Sequence, residues 1–354
     1  MNSAFEEALA QRGHVNLLVV GKTGTGKSTL VNTVFDGRIA ETGQGRPITQ
    51  HMRRYTKEGS PVSIYDTKGL EVADYKSILN DLKTKVREIN RSEKPEDHIH
   101  VAWLCIAEGS RRVEEAEIEL ANLLDELSVP VVVVITTAIS DQGFKSDVRN
   151  IFHSASNVVR VNSEPLAMDD DVIMPRKGMD VLVDATMEVV PQGQKSAFAA
   201  AQRVKIDHKV SRSRVAVRSA AALAMAAAAA PIPLADAAAI VPIQVTMIAS
   251  ISVCFGLDLT TSFLTTLVTS SLASTGGTLG GRALVGTLLK LTGVGYVGGV
   301  AISASVAGTF TTALGEAYIA VLTKLVTNNP DRALTAEEIA SALKERLSGA
   351  YHAA

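Results

Sequence analysis

The sequence predicts an α/β domain with a mostly parallel sheet and one antiparallel edge strand, followed by an all-α domain rich in Ala and Gly. Two observations lead to this fold class. In the first half, apolar runs of strand length alternate with helical patterns, which is typical of helices that cover both faces of a parallel sheet. Between Ser219 and Thr323, charge almost disappears, and the charged residues there are Asp236, Asp258, Arg282, Lys290 and Glu316.

The strands follow in order along the first half. The run VNLLVV, which begins at Val15, is the first. The runs HMRRYTK and PVSIYD are separated by EGS alone, and so short a link joins antiparallel neighbours as a hairpin. The later strands are HVAWLCI, VPVVVVIT and NVVRV, and helical patterns lie near Tyr75–Asn90, Val113–Leu127, Phe144–His153 and Met179–Val189.

Both ends of the chain carry helical patterns. The start, MNSAFEEALAQRGH, predicts a short helix capped from Asn2 or Ser3, and it lacks the apolar core of a secretory signal. Near the other end, Thr335 and Glu338 form a capping box for a helix that we expect to stop at Gly349. The composition changes near 191–195, so we predict three regions: 1–194, 195–330 and 331–354.

A glycine-rich segment, GKTGTGKSTL, directly follows the first strand. It has the spacing G-x-x-x-x-G-K-[ST] of the phosphate-binding loop (P-loop), in which backbone N–H groups and a helix N-terminus surround phosphate. Lys27 would reach the β- and γ-phosphates, and the Ser28 hydroxyl would ligate Mg²⁺. The predicted phosphate-binding residues are Gly21, Thr23, Gly24, Thr25, Gly26, Lys27, Ser28 and Thr29.

A second phosphate contact is predicted where DTKG, from Asp66 to Gly69, ends the third strand. In such a loop the Asp holds Mg²⁺ through a water and the Gly N–H contacts the γ-phosphate. Between the two motifs, the polar segment ETGQGRPITQ suits a mobile switch loop. Thr49 or Thr42 would supply a second hydroxyl to Mg²⁺, and we favour Thr49, just before the hairpin. The predicted metal-binding residues are thus Ser28, Thr49 and Asp66, and the predicted catalytic residues are Lys27, Thr49 and Gly69.

The segments GKTGTGKST, PIT, DTKGLE and VAWLCIAEGSRRVE resemble Era-like bacterial GTPases of the TRAFAC class, and the P-loop is also similar to immunity-related and septin-like branches. The stretch AAAPIPLADAAAIVPIQVTMIASISVCFG resembles the YcjF-type helical domain of unknown function that is often fused to such GTPases. The resemblance covers most of the chain from about Asn16. It implies a P-loop G domain that binds GTP or GDP with Mg²⁺ and hydrolyses GTP, as a switch or a dynamin-like module acting through the helical domain.

The guanine-binding element departs from the family pattern. The family normally reads guanine with [NT]-K-x-D after the fifth strand, where this chain has ITTAISDQ. Thr136 matches the first position, but Thr137 replaces the lysine and Ile139 the aspartate. A loop two residues longer would bring Asp141 to guanine, and Ser163 in VNSEP best matches the last guanine element.

A second departure is Leu70, directly after the D-x-x-G glycine, where many GTPases carry a Gln that orients the attacking water. Leucine cannot do this, so either hydrolysis is slow or a second molecule completes the site, which would make self-association nucleotide-dependent. Two other functions stay open: a nucleotide-binding scaffold with little turnover, and an ATP-using P-loop enzyme.

Basic residues precede the charge-poor stretch: Lys195, Arg203, Lys205, Lys209, Arg212, Arg214 and Arg218. They indicate either a membrane-surface helix or a solvated helix face. The apolar runs that follow are nearly long enough to span a bilayer, but they are mild and are broken by Pro231, Pro233, Pro242, Lys290 and glycine pairs. An anionic membrane and a protein partner are both kept as targets of this half, and a soluble bundle is the rival structure.

The overall charge limits the remaining partners. A net charge of -2 and a pI of about 6.4 do not indicate a nucleic-acid-binding protein, so no nucleic acid is expected. Cys105 and Cys254 have no metal-ligand neighbours, which is typical of buried thiols in a reducing compartment. We expect a cytoplasmic protein, either free or at the inner face of the membrane.

Overall fold

The computed structural model describes residues 3–35, 46–49, 51–56, 59–67, 75–167, 173–229, 236–276, 299–329 and 332–352. The chain divides into two compact units. One is Gly13–Lys205, called here the sheet unit. The other, called here the helical unit, combines Met1–Arg12 with Ile206–Ala354.

The sheet unit is built on a seven-stranded sheet of order β2-β3-β4-β1-β5-β6-β7. Its strands are β1 Val15–Gly21, β2 Arg46–Pro47, β3 Met52–Thr56, β4 Val62–Thr67, β5 Val101–Ala107, β6 Val131–Thr136 and β7 Asn157–Arg160. β1 pairs in parallel with β4 and β5, and β3 pairs antiparallel with both β4 and β2. The predicted hairpin and the single reversed strand are therefore confirmed. The two-residue β2 lies outside β3, so the reversed strand is not at the edge.

Helices cover both faces of this sheet, because alternate residues of each buried strand point to opposite sides. Val15, Leu17 and Val19 of β1 belong to a core on one face, and Leu18 and Val20 belong to a core on the other. The first core is closed by α2 Lys27–Val34, α6 Met179–Val189 and α7 Lys195–Ala201, and the second by α3 Tyr75–Ile89, α4 Glu115–Glu126 and α5 Phe144–Ile151. A small hairpin of β8 Leu166–Ala167 and β9 Ile173–Met174, which the sequence did not indicate, follows β7.

The last helix of the sheet unit, α7, lies beyond the boundary predicted at residue 194. Phe198 is fully buried, and its ring packs edge-on against Phe35 at a centroid distance of 6.0 Å. Phe35 in turn stacks on Trp103 of β5 at 5.8 Å. The Ala-rich composition of α7 resembles that of the following helices, but its aromatic residue completes the core of the sheet unit.

The helical unit consists of α1 Ser3–Arg12, α8 Ile206–Ala229, α9 Asp236–Cys254, α10 Thr261–Gly276, α11 Gly299–Asn328 and α12 Ala336–His352. Its buried core is formed mainly by aliphatic side chains of α9, α10 and α11, together with Tyr318. The N-terminal helix α1 is grouped with this unit, although it was predicted within the 1–194 region, and its Ala8 belongs to the same core.

Three expectations about the helices need correction or remain open. Pro242 does not break α9, which continues through it to Cys254, since one missing N–H is a local loss that packing can offset. Gly349 does not end α12, which runs to His352, because glycine only weakens a helix by about 1 kcal/mol relative to alanine. Pro231, Pro233 and Lys290 lie outside the described residues.

The basic stretch is not one continuous basic helix, because it is divided between α7, the segment 202–205 and α8. Lys205 pairs with Asp184 at 2.7 Å, and Lys209 is buried. Arg214 pairs with Glu316 of α11 at 3.1 Å, and Arg218 is exposed. Several of the cations are therefore engaged within their own unit.

Among the described residues, one helix, Ser305–Asn328, is long and apolar enough to cross a membrane by length and composition. Half of its apolar window is buried inside the protein, as in the core helix of a soluble bundle. A shorter apolar helix covers Ile240–Cys254. Membrane association and a soluble bundle are therefore both carried forward for the helical unit.

Candidate functional site

The predicted site residues lie at the carboxyl edge of the parallel sheet, where ligands bind in open α/β folds. The P-loop follows β1, and Asp66 lies near the end of β4. Thr136 and Arg160 are the last residues of β6 and β7, and Glu108 follows β5. Because β1, β4, β5, β6 and β7 are parallel, their ends bring residues far apart in sequence to one edge.

The P-loop backbone depends on its glycines. A Cβ atom on Gly21 would lie 2.4 Å from the carbonyl oxygen of Cys105 on β5, so only glycine fits there. Gly24 and Gly26 have φ angles of 78° and 77°, and Gly26 directly precedes α2. Such left-handed residues occur in backbone nests that bind anions. The hydroxyl of Thr25 donates to the Lys22 carbonyl at 2.9 Å and stabilises the turn, while Thr23, Gly24 and Ser28 are exposed.

Lys27 folds back over this loop. Its Nζ donates to the carbonyl oxygens of Gly21 at 2.8 Å and Lys22 at 2.7 Å. An ammonium group held by two neutral carbonyls keeps its positive charge uncompensated by them, so a phosphate would be a stronger partner. Lys22 of the same loop forms an ion pair with Glu114, the residue before α4.

A small cavity beside the P-loop joins three of the predicted residues, since Lys27, Ser28 and Asp66 all line it, together with apolar side chains. The Oδ1 atom of Asp66 is buried and has no hydrogen-bond partner among the described residues. Burial raises the pKa of this carboxyl group, and the nearby Lys27 opposes that shift. The buried carboxylate therefore lacks a partner that a cation would supply.

These residues fit a Mg²⁺ ion. Within the described residues, no group of three or more His, Cys, Asp or Glu side chains that could hold a metal is found. Mg²⁺ does not require such a group, because it usually combines one or two carboxylates with waters and substrate phosphates. One unpartnered Asp66 oxygen and the Ser28 hydroxyl in the same cavity meet this requirement.

Thr49 is not among the residues that line the cavity. It lies in the turn before β3, where its Oγ1 accepts the N–H of His51 at 3.0 Å and its own N–H donates to Met52 at 3.1 Å. The structure therefore does not bring Thr49 together with Ser28 and Asp66, and its role at Mg²⁺ stays a prediction. Thr42, Gly69 and Leu70 lie outside the described residues.

The predicted guanine-binding residues lie in loops after β6 and β7. Thr136 is buried, and its hydroxyl donates to the Ile106 carbonyl at 3.3 Å. Thr137 has a φ of 52°, a strained conformation for a β-branched residue. The carbonyl of Ser163 accepts the hydroxyl of Thr33 on the P-loop helix α2 at 3.2 Å and Nε of Arg176 at 2.9 Å. Ser163 is thus tied to the P-loop helix through its backbone.

Asp141 has local partners. Its Oδ1 accepts the N–H of Lys145 in the first turn of α5 at 2.8 Å and lies 3.6 Å from Nε of Arg160. Both contacts use one oxygen of the carboxylate, and the side chain is 38% exposed. The group therefore stays accessible from solvent. Its pairing with guanine remains a prediction.

Sequence reasoning missed Glu108, which is 2% exposed. Its Oε2 accepts the backbone N–H groups of Ile139 at 2.6 Å and Ser140 at 2.8 Å, and its Oε1 accepts Nε of Arg160 at 2.6 Å. The segment AEGS looks like an ordinary polar loop start, and no local spacing shows that it meets residues about thirty and fifty positions later. A signal would have been a glutamate directly after a buried strand at the carboxyl edge.

Two protein-family models match the sequence of this chain. Residues 16–137 match "50S ribosome-binding GTPase", and residues 192–348 match "Domain of unknown function (DUF697)". The N-terminal domain is a P-loop GTPase domain. This match supports guanine-nucleotide binding by the G domain, within a family of GTP-hydrolysing enzymes. The narrower resemblance to Era-like and YcjF-type proteins stays a prediction.

Among curated proteins, the chain is similar to "Translocase of chloroplast 101, chloroplastic" of Physcomitrium patens, with 35% identity over 79 residues. This alignment covers 20% of the chain and 9% of that protein. The chain therefore matches less than a tenth of the length of this relative, and the similarity is confined to a short segment.

Solved structures with similar folds include a probable GTP-binding protein engB, at 14% identity and a TM-score of 0.34, covering 49% of this chain and 98% of that one. The G domain of the T. maritima FeoB iron transporter has 14% identity and a TM-score of 0.30, and the match covers 50% of this chain and 98% of that one. Era in complex with MgGDPNP and nucleotides 1506–1542 of 16S ribosomal RNA has 15% identity and a TM-score of 0.34, and the match covers 51% of this chain and 58% of that one. Scores this low carry no argument beyond the likeness itself.

Proposed function

We propose that this protein is a nucleotide-dependent switch that hydrolyses GTP to GDP and phosphate slowly on its own and acts on a target through its helical unit. The target is an anionic membrane or a protein partner, and the protein works in the cytoplasm, free or at the inner face of the membrane. The net charge of -2 argues against nucleic acid as the target.

One observation carries the nucleotide part of the proposal. Lys27, Ser28 and Asp66, whose buried Oδ1 atom has no hydrogen-bond partner among the described residues, line the same cavity at the start of the P-loop helix. A positive group, a hydroxyl and a buried carboxylate in one place suit a triphosphate bound together with a divalent cation. The distorted glycine backbone between β1 and α2 adds a nest for anionic oxygens.

Each residue then has a part in binding. Lys27 would exchange its two carbonyl partners for the β- and γ-phosphates. Ser28 and Asp66 would hold Mg²⁺, which would supply positive charge against the phosphates. Thr49 would offer a further hydroxyl to Mg²⁺, and the Gly69 N–H would contact the γ-phosphate. We infer that the loop from Thr136 to Asp141 and the loop at Ser163 read the base.

Binding of labelled GTP with and without Mg²⁺, with GDP and ATP as competitors, tests this part directly. We expect Mg²⁺ to strengthen GTP binding and ATP to compete poorly, since adenine would not offer the Asp141 carboxylate the N–H groups that guanine offers. Asp141→Asn should shift the preference towards xanthosine triphosphate. Equal competition by ATP in the unmodified protein would support the ATP-using enzyme instead.

Turnover is tested by phosphate release at increasing protein concentration. Leu70 stands at the water-orienting position, so the isolated protein should be slow. Specific activity should rise with concentration if a facing subunit supplies the missing group. No release at any concentration, with GTP bound, would support the scaffold function, and a fast rate independent of concentration would contradict slow intrinsic turnover.

The helical unit is tested with vesicles. Arg218 is exposed and Arg214 is partly exposed beside the charge-poor helices, and each basic residue near an anionic surface contributes about 1 kcal/mol. We expect the full chain to co-sediment with anionic vesicles and less so after Arg212, Arg214 and Arg218 are replaced by Gln. If the full chain is monomeric in buffer without detergent and does not co-sediment with vesicles, the target of the helical unit is a protein.

A further inference from the structure

Backbone strain in the sheet unit is concentrated around one loop. Four non-glycine residues of the described part of the chain have positive φ angles. Three of these four, Arg111 at 50°, Thr137 at 52° and Gln142 at 44°, lie in the loops after β5 and β6. Strained residues of this kind persist where surrounding contacts hold them, and they collect at ligand clamps.

The contacts that hold this loop come mainly from Glu108. Its two carboxylate oxygens have different partners. Oε2 accepts hydrogen bonds from the consecutive backbone N–H groups of Ile139 and Ser140, and Oε1 accepts a hydrogen bond from the guanidinium group of Arg160. Arg160 also lies 3.6 Å from the Asp141 carboxylate. Glu108 therefore holds the loop backbone directly and the Asp141 side chain through Arg160.

A second side chain holds the same loop from its carbonyl side. Arg111 donates to the carbonyl oxygens of Ser140 and Asp141, and its guanidinium lies over the ring of Phe144 at 5.8 Å. Backbone N–H groups of this loop therefore donate to Glu108, and backbone carbonyl groups of the same loop accept from Arg111.

We propose that Glu108 is a positioning residue for base recognition, which acts by holding the loop Thr137–Asp141 and, with Arg111, sets the preference for guanine. The proposal rests on the function proposed above, since it assumes that this loop meets the base. The phosphate-binding side chains Lys27, Ser28 and Asp66 make no contact with Glu108 in the structure's hydrogen bonds and ion pairs. Loss of the contacts that Glu108 and Arg111 make with this loop should therefore weaken base binding and leave phosphate binding unchanged.

Glu108→Gln is the sharpest substitution, because it keeps the shape and changes only the acceptors. An amide oxygen turned towards the two N–H groups leaves the NH₂ group facing Arg160, and the opposite orientation places it against the N–H groups. In either orientation, the substituted side chain loses its hydrogen bonds to the two loop N–H groups or to Arg160. Since Glu108 is buried, Arg111→Ala provides a second variant whose contacts are exposed.

The experiment measures dissociation constants of the full chain for Mg²⁺–GTP, Mg²⁺–ATP and Mg²⁺–tripolyphosphate, which has no base. For both variants we expect GTP to bind about tenfold more weakly, since a hydrogen bond to a charged group is lost. Tripolyphosphate affinity should stay unchanged, and the preference for GTP over ATP should narrow by the same factor. Glu126→Gln, a solvent-exposed ion-pair partner of Lys83, is the matched control and should change none of these values.

The outcomes separate the two proposals. If the unmodified protein binds tripolyphosphate but does not prefer GTP, base recognition as proposed fails and this inference with it. If it prefers GTP, and the two variants either keep that preference or lose GTP and tripolyphosphate affinity together, Glu108 is a structural residue and the inference is wrong while the proposed function stands. Thermal unfolding of each variant shows whether a loss is due to misfolding, in which case Arg111→Ala decides.

Discussion

The sheet unit and the helical unit differ in where their polar side chains find partners. In the sheet unit, Lys27 at the start of α2, Asp66 near the end of β4 and Glu108 after β5 come from separate elements and face shared partners or one cavity. In the helical unit, many hydroxyl groups donate to a carbonyl oxygen of their own helix, as Ser250 does to Thr246 and Thr323 does to Ile319. The same pattern repeats at Ser252, Thr265, Thr266, Thr269, Ser271, Thr312 and Thr327.

This difference decides what each unit can do. Polar groups that converge from separate elements present unsatisfied charge to a ligand, and Asp66 is an example. A hydroxyl that donates to the carbonyl four residues earlier is satisfied without any neighbour, which permits a low-polarity helix to pack in many surroundings. Chemistry is therefore expected from the sheet unit, and the helical unit acts through its surface and packing. Four experiments test this contrast, from the largest expected effect to the smallest.

The first variant, Phe198→Ala, tests whether α7 belongs to the sheet unit. Phe198 is fully buried against Phe35, so its truncation should destabilise the sheet unit by about 3–5 kcal/mol. The transition to follow by thermal unfolding is the one that GTP shifts to higher temperature, since ligand stabilises only the unit that binds it. Val181→Ala, at a position 47% exposed on α6, is the control. If Phe198→Ala shifts only the transition that nucleotide leaves unchanged, α7 belongs to the helical unit.

The second variant, Lys27→Ala, removes the cation of the site. A charge-assisted contact to phosphate contributes about 1.5–3 kcal/mol, so GTP affinity should fall about tenfold or more. Because the hydrogen bonds of Lys27 to described residues go to two carbonyl oxygens of its own loop, the protein should stay folded. Lys83→Ala, at an ion pair on the surface, should bind normally. Unchanged GTP affinity in the Lys27 variant would contradict the P-loop function.

The third variant, Asp66→Asn, should stabilise the nucleotide-free protein while it abolishes the effect of Mg²⁺ on GTP binding. Burial raises the pKa of Asp66, so the folded state binds this proton more tightly than the unfolded state, and the ionised carboxylate is destabilising. The destabilisation is absent below the unfolded pKa of about 3.9 and is complete above the raised folded pKa. We expect a higher melting temperature at neutral pH, since a neutral amide replaces a carboxylate whose charged form is disfavoured by burial.

The pH series provides the control for this third variant. The difference in melting temperature between the unmodified protein and Asp66→Asn should shrink on acidification as Asp66 becomes protonated. A difference that is constant with pH would mean that ionisation of Asp66 is not its cause. A variant that still binds GTP more tightly with Mg²⁺ would remove Asp66 from the metal site.

The features that the sequence predicted well are local ones. The P-loop is a run of adjacent residues, and the hairpin follows from the three residues between two strands, so neither needs information from distant parts of the chain. The helix predicted near Met179–Val189 is also present, over those residues. The capping box at Thr335 and Glu338 is also local, and both of its hydrogen bonds are present, at 3.0 and 3.3 Å.

The features that it did not predict depend on which distant residues meet. Glu108 reaches Ile139, Ser140 and Arg160 only because three parallel strands end at one edge. The assignment of α7 to the sheet unit depends on Phe35, a residue far earlier in the chain, and an Ala-rich composition does not reveal it. Asp141 was assigned by loop length alone, while the capping contact to Lys145 is set by where α5 begins.

The last and smallest effect is expected inside the helical unit. Tyr318 on α11 is fully buried, and its hydroxyl lies 2.8 Å from the hydroxyl of Ser252. The Ser252 hydroxyl also donates to the Ile248 carbonyl at 2.7 Å. In Tyr318→Phe, Ser252 keeps its backbone partner, so the loss should be only about 0.5–1.5 kcal/mol. In Ser252→Ala, the Tyr318 hydroxyl is left buried without this partner, and the cost should be larger. Chemical denaturation of the helical unit measures the order of the two, and GTP affinity should not change in either. If Tyr318→Phe costs more than Ser252→Ala, or if either alters GTP affinity in a folded protein, the hydroxyls of this unit are not satisfied within their own helices, and the contrast with the sheet unit fails.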